Sequence, residues 1–136
     1  MIIIRKYNDE KDWEIVSVDE TIEKTEGRGY YSPGTAREIL QNGGELRMPW
    51  AVYKLSPAHV YYYTFGSDPA FPYCGGWVEV YANSWEESHE KFRTKYPDRP
   101  GREGVINCAF FYDQEMWGQS GMANGNLGGF CHEVII

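Results

Sequence analysis

WVEVYANSWEESHEKFRTKY, residues 77–96, contains the change of period on which the fold turns. Trp77 to Ala82 alternates apolar and polar side chains, the pattern of a strand with one covered face. Ser84 can then cap a helix, and Glu87 completes an S-x-x-E box. From there Trp85, His89, Phe92 and Tyr96 recur at helical spacing, forming one apolar stripe that ends before Pro97 and Gly101. The next apolar run, Val105 to Tyr112, reads as a strand. Strand, helix and strand in this order can form a right-handed parallel crossover, although the turn at 97–104 permits other routes.

Downstream, Gly118 to Gly129 holds five glycines in twelve residues and is expected to be a mobile or ligand-binding loop. It contains no GxGxxG or Walker pattern, so a phosphate cradle has no support. Phe130 to Ile136 closes the chain as a last strand.

Upstream, Ile2 to Tyr7 and Trp13 to Val18 read as strands joined by the polar turn Asn8–Asp12. The second has a helical alternative. Ile15, Val18 and Ile22 form a helical stripe, and Ser17 with Glu20 resembles a capping box, so a helix over Asp19 to Thr25 competes with the strand. SPGTAREILQNGG, from Ser32, predicts a short helix with Ser32 as cap, Pro33 in the first position and Gly43-Gly44 at its end. Leu46 to Leu55 and His59 to Phe65 follow as strands, with Pro49 favouring an edge or a bulge. The Gly/Pro-rich stretch 66–76 is expected to join two halves, 1–66 and 75–136, of one domain. The fold expected is α+β: a single mixed or largely antiparallel sheet of about five to seven strands with two main helices, near 33–42 and 85–96.

Composition narrows the function classes. The 136 residues carry a net charge of −7, which argues against gripping nucleic acid directly, because such binding needs Lys and Arg to neutralise phosphates. No window approaches a membrane helix, and MIIIRKYNDE lacks an export h-region, so with 3 Cys the expectation is a cytoplasmic protein with reduced thiols. The acids are uneven. Asp9, Glu10, Asp12, Glu14, Asp19, Glu20, Glu23 and Glu26 stand against Lys11 and Lys24 alone between Asn8 and Glu26, a surface suited either to solubility or to a basic partner. Aromatics make up 16% of the chain. The runs Tyr30-Tyr31, Tyr61-Tyr62-Tyr63 and Phe110-Phe111-Tyr112 cannot each lie on one face of a strand, so some rings are expected at a surface or interface.

Candidate chemistry lies in the Cys and His residues. In the final strand Cys131 and His132 point apart, with His132 sharing a face with Phe130, Val134 and Ile136. That leaves His89, Cys108 and His132 as a set able to converge between helix and sheet, either as a zinc site completed by Cys74 or water, or as a thiol–imidazole pair. No C-x-x-C or H-x-x-x-H spacing accompanies them, and a buried cysteine is commonly a small core residue. Cys108 is placed on a face with Ile106, Phe110 and Tyr112. Asp113 and Glu115, after that strand, are a possible carboxylate pair beside the glycine-rich loop, or plain turn residues.

GRGYYSPGTAREILQNGGELRMPWAVYKL (27–55) and SWEESHEKFRTKYPDRPGREGVINCAFFY with GNLGGFCHEVI (84–112 and 125–135) resemble small accessory proteins carried by phages and conjugative elements of Gram-positive gut bacteria. The resemblance transfers no site residues. It implies a context in which such proteins include anti-CRISPR-type inhibitors that bind a host defence nuclease and block its nucleic-acid channel. The reading is therefore a small acidic, non-enzymatic binding protein without cofactor, meeting a host protein with a basic groove through its eight acids. Its alternatives are a zinc- or thiol-dependent activity and a small-molecule-sequestering protein.

Overall fold

A computed structural model describes residues 1–136 and divides them into two compact units, Met1–Ser56 with Ile136, and Pro57–Ile135. The protein is α+β, but its strands form two four-stranded sheets in place of the expected single sheet.

In the first unit β1 (Ile3–Tyr7), β2 (Glu14–Val16), β3 (Leu46–Arg47) and β4 (Ala51–Leu55) lie in the order β2-β1-β4-β3, all antiparallel. β4 pairs with β1 on one side and β3 on the other, so the next strand along the chain, His59–Thr64, cannot add beside β4; it pairs instead with Trp77–Ala82 and Phe110–Tyr112. The residues expected as one strand, 46–55, instead fold back on themselves. Pro49 lies in the hairpin turn, which Met48 N–H closes onto the Ala51 carbonyl at 2.8 Å; a residue without an amide donor fits a turn better than a ladder.

Both N-terminal alternatives are realised in series. β2 ends at Val16, Ser17 Oγ accepts the Glu20 amide at 3.0 Å, and α1 (Val18–Ile22) runs on into a π-helical turn, Glu23–Gly27. Thr21 and Thr25 are fully buried on it. Each returns its hydroxyl to the carbonyl four residues back, Thr21 to Ser17 at 2.9 Å and Thr25 to Thr21 at 2.7 Å, so both buried threonine hydroxyls are paired. α2 (Thr35–Gln41) is shorter than predicted: Gly34 holds the cap position at φ +85°, and Ser32 does not cap it. Ala36 and Leu40 of α2 pack on Ile3, Leu46, Met48, Ala51 and Tyr53.

In the second unit β5 (His59–Thr64), β6 (Trp77–Ala82), β7 (Phe110–Tyr112) and β8 (Cys131–Ile135) lie in the order β7-β5-β6-β8. Residues 66–76 join the antiparallel pair β5 and β6 inside this unit, so the division of the chain falls at Ser56/Pro57. α3 (Trp85–Lys95) starts as its box predicts: Ser84 Oγ accepts the Glu87 amide at 3.2 Å, while the Glu87 carboxylate accepts the Asn83 amide at 3.1 Å. The crossover differs from expectation. Only Phe110–Tyr112 of the run 105–112 is strand, and it pairs antiparallel with β5, whereas the parallel neighbour of β6 is β8. The glycine-rich segment is largely helical, in α4 (Gln114–Ser120) and α5 (Met122–Gly125). Asp113 Oδ1 accepts the Met116 amide at 2.8 Å, and Gly121 takes the left-handed conformation that separates the two helices.

Tyr61, Tyr63, Phe65, Val78, Val80 and Ala82 form one face of this sheet and pack with Phe92, Cys108 and Ile135. Tyr63 stacks on Phe92 with centroids 4.2 Å apart. The tyrosine run splits with the strand period, as its alternation requires: Tyr62 instead stacks on Trp117 of α4, 4.5 Å away and 2° from parallel. No helix is long and apolar enough to cross a membrane.

Candidate functional site

The eight acids of the N-terminal segment fall into two groups. Four are committed to contacts within the first unit. Glu14 pairs with Arg5 Nη2 at 2.7 Å, Glu20 with Lys24 Nζ at 2.7 Å and Arg5 Nη1 at 4.0 Å, and Glu23 with Arg28 at 3.5 Å. Arg5 is 8% exposed and lies over the Tyr7 ring, so its charge requires those carboxylates. The Lys24 hydrogen bond and charge hold the Glu20 carboxyl below its ordinary range. Glu26 accepts the amides of Gly34 at 2.5 Å and Arg37 at 3.1 Å, and those two bonds lower its pKa in that order.

The other four, Asp9, Glu10, Asp12 and Asp19, are exposed and form no ion pair. Three of them occupy the β1–β2 turn, which is tied down by Asn8, whose amide and side chain donate to the Trp50 and Pro49 carbonyls. Trp13 follows, half-buried, with Lys54 Nζ 4.4 Å and Lys6 Nζ 5.5 Å from its ring centroid. Both cations are thus placed over an aromatic face and not in an ion pair with the turn carboxylates.

The Cys and His residues are all in the second unit, and each has its own environment. His89 lies on the apolar side of α3, as its stripe predicts. Its Nδ1 shares a 2.8 Å hydrogen bond with Tyr63 OH, which is also 2.5 Å from the buried Ser88 Oγ. Burial, then the Arg93 charge, pulls the His89 pKa down. Cys108 belongs to the apolar core; burial pushes its thiol up to about 12, far from a thiolate nucleophile at neutral pH. It does not share a face with Phe110, which is 66% exposed, because residues 105–109 turn instead of continuing the strand.

His132 is re-aimed by a bulge. Trp77 pairs with Cys131 and Val78 with Glu133, so His132 is the extra residue and does not share the exposed side of Val134 as alternation predicts. Its Nε2–H donates to the Gly75 carbonyl at 2.7 Å, and its ring stacks on Tyr73 at 3.9 Å and 5°. Cys131 donates its thiol to the Glu133 carbonyl at 3.3 Å, and Cys74 is exposed. No three His, Cys, Asp or Glu side chains are grouped to hold a metal ion. His89, Cys108 and His132 are engaged separately, by a tyrosine, by the core and by a backbone carbonyl.

Two arrangements have no counterpart in the sequence reading. Tyr73 OH and Tyr96 OH are 3.1 Å apart, Tyr96 donates to the Glu133 carboxylate, and Lys95 Nζ pairs with that carboxylate at 2.6 Å. This relay ties the end of α3 to β8. Its members are 37 and 38 residues apart in the chain, and nothing in a lone Tyr or Glu signals such a pairing. The second is a cleft of about 340 Å³ lined by His59, Val60, Tyr61, Asn83, Trp85, Asp113, Gln114 and Glu115. Asp113 and Glu115 are the carboxylates singled out by their place after β7; His59, Tyr61 and Trp85 reach them only through the fold.

No protein-family model, curated protein or solved structure matches this chain.

Proposed function

We propose that the protein acts by protein–protein contact, as a small acidic non-enzymatic inhibitor that docks on a basic groove of a host protein. The observation that carries this reading is the unpaired state of Asp9, Glu10, Asp12 and Asp19. Their charge is not consumed within the fold, whereas Glu14, Glu20, Glu23 and Glu26 are spent on it. The docking surface is thus the β1–β2 turn and the first turn of α1, half of the acidic set. Long-range attraction from such a patch accelerates encounter with a Lys- and Arg-lined groove, and close pairing then sets the register.

An exposed aromatic side chain agrees with a contact role. Tyr30, in the same unit as the acidic turn, is 51% exposed, and aromatic rings contribute large contact area at little rotameric cost. The resemblance to mobile-element accessory proteins supplies the partner class, a nucleic-acid-guided nuclease.

The test is binding of the purified protein to candidate guided nucleases, read as affinity and as inhibition of target cleavage. Reversal of Asp9, Glu10 and Asp12 to Lys should weaken association about tenfold or more at 50 mM salt and leave folding intact. Reversal without effect, or binding indifferent to salt between 50 and about 300 mM, overturns the reading.

A further inference from the structure

A second surface, in the other unit and independent of the acidic turn, has the chemistry of a ligand site. The cleft between the start of β5, the start of α3 and the start of α4 is lined by Tyr61 and Trp85 together with Asp113 and Glu115. The Tyr61 ring, 6% exposed, packs against Trp85 with centroids 4.6 Å apart and planes tilted by 52°, so Trp85 is the aromatic wall and Tyr61 supports it from the core. No Lys or Arg lines the cleft. The cation nearest in sequence to this end of α3, Lys91, is held elsewhere, by the Tyr81 carbonyl at 2.8 Å and Glu87 at 3.1 Å.

The carboxylates are not spent. Asp113 uses Oδ1 to cap α4, which answers an open amide of that helix end and leaves Oδ2 outside that cap; Glu115 is exposed and forms no ion pair. The Asp113 charge is felt at the aromatic side: after burial itself it is the main influence raising the Tyr61 hydroxyl pKa, followed by Glu87.

We propose that this cleft binds a guanidinium group, with Trp85 contacting its planar face and Asp113 and Glu115 accepting its N–H donors. A guanidinium fits better than an ammonium. It is flat and weakly hydrated, so it can pass from water to an aromatic wall at lower cost, and its fork of donors matches carboxylate oxygens. The cleft volume lies at the small end of the range for ligand pockets, enough for one such head and its alkyl stem. The group can come from a free guanidino compound or from an arginine side chain of another protein, and the lining treats the two alike.

The test is a titration of the full chain by NMR with three probes: agmatine, Nα-acetyl-arginine methylamide, and the neutral isostere Nα-acetyl-citrulline methylamide. Saturable shifts centred on the Trp85 indole and on His59, Asn83 and Asp113, with the citrulline probe at least about tenfold weaker, are expected. Tighter binding of agmatine assigns a free guanidino compound, and tighter binding of the capped arginine assigns a protein side chain. Asp113→Asn keeps a capping side chain, so Asp113→Asn with Glu115→Gln should retain a folded spectrum and lose about fivefold or more in affinity. Equal binding of the citrulline probe, absence of saturable shifts at these residues, or unchanged affinity in the double variant overturns the proposal.

Discussion

Glu26 caps a helix to which it does not belong: its Oε1 accepts the amide hydrogen of Gly34 at 2.5 Å, nine positions before the start of α2. Oε2 takes the Arg37 amide as well. The cap was expected from Ser32, which lies next to the helix in sequence. Gly34, in the left-handed conformation at φ +85°, turns the chain so that the open amides face Glu26, and it has no side chain with which to answer them itself. An acid counted by its charge as a docking group is thereby a structural residue.

Glu26→Gln should lower the denaturation midpoint of the protein, because an amide places only one weaker acceptor against the two helix amides. Glu10→Gln, in the β1–β2 turn, should leave it unchanged. The pH dependence has a definite sign. The folded pKa of Glu26 is depressed, chiefly by the Gly34 and Arg37 amides, so its contribution is present above the ordinary carboxyl value of 4.5 and is lost as pH falls through the folded value. Urea melts between pH 3 and about 6 should show a shallower acid-side slope in the variant.

Two buried tyrosines should respond in opposite ways to loss of the hydroxyl. Tyr63 OH bonds Ser88 Oγ at 2.5 Å and His89 Nδ1 at 2.8 Å, so Tyr63→Phe strands a buried Ser88 and should cost about 1–3 kcal/mol. Tyr53 OH is buried without any hydrogen-bond partner. Tyr53→Phe removes an unsatisfied group and should leave stability within about 0.5 kcal/mol of the parent or raise it. Chemical denaturation of the two variants side by side decides the matter, and a loss at Tyr53 comparable to that at Tyr63 would contradict the assignment.

Thiol reactivity should follow burial. Cys74 is exposed and Cys108 buried, with the Cys108 thiol raised to about 12. In native protein iodoacetamide should label Cys74 first, Cys131 slowly, and Cys108 only under denaturing conditions, as read by peptide mass spectrometry. Rapid native labelling of Cys108 would revive the thiol-dependent alternative.

His89 should make stability fall on mild acidification. Burial, followed by the Arg93 charge, depresses its folded pKa below the ordinary 6.5. The folded state thus favours the neutral ring, and its contribution is present above pH 6.5 and lost as pH falls through the folded value. His89→Gln should flatten the decline of stability between pH 7 and about 5, even if the variant is less stable throughout.

Local order was legible in the chain wherever neighbours in sequence decide it. The alternation of Trp77 to Ala82, the Ser84–Glu87 box, the stripe that puts His89 on the apolar side of α3, and the opposite facing of Tyr62 within its run all appear as predicted. These depend on strand and helix periods and on capping between residues three apart, which any folded context preserves. The parity of β8 was not legible. A bulge between the Trp77 and Val78 pairings moves His132 from the side of Val134 to that of Tyr73 and Phe65, and a bulge is set by the partner strand, not by the residues it displaces.

What the sequence determined by itself is the inventory: α+β elements, the surplus of acids near the N-terminus, aromatic residues too numerous for one face, and no recognisable metal-ligand spacing. Tertiary structure alone decided the count of sheets, because both sides of β4 are filled, by β1 and β3, and the next strand, β5, pairs with β6 and β7 instead. It also decided the use of each charge. Whether a carboxylate is free or spent depends on which amide or cation lies within hydrogen-bond reach, and Glu26 and Asp9, alike in charge, differ only in that distance.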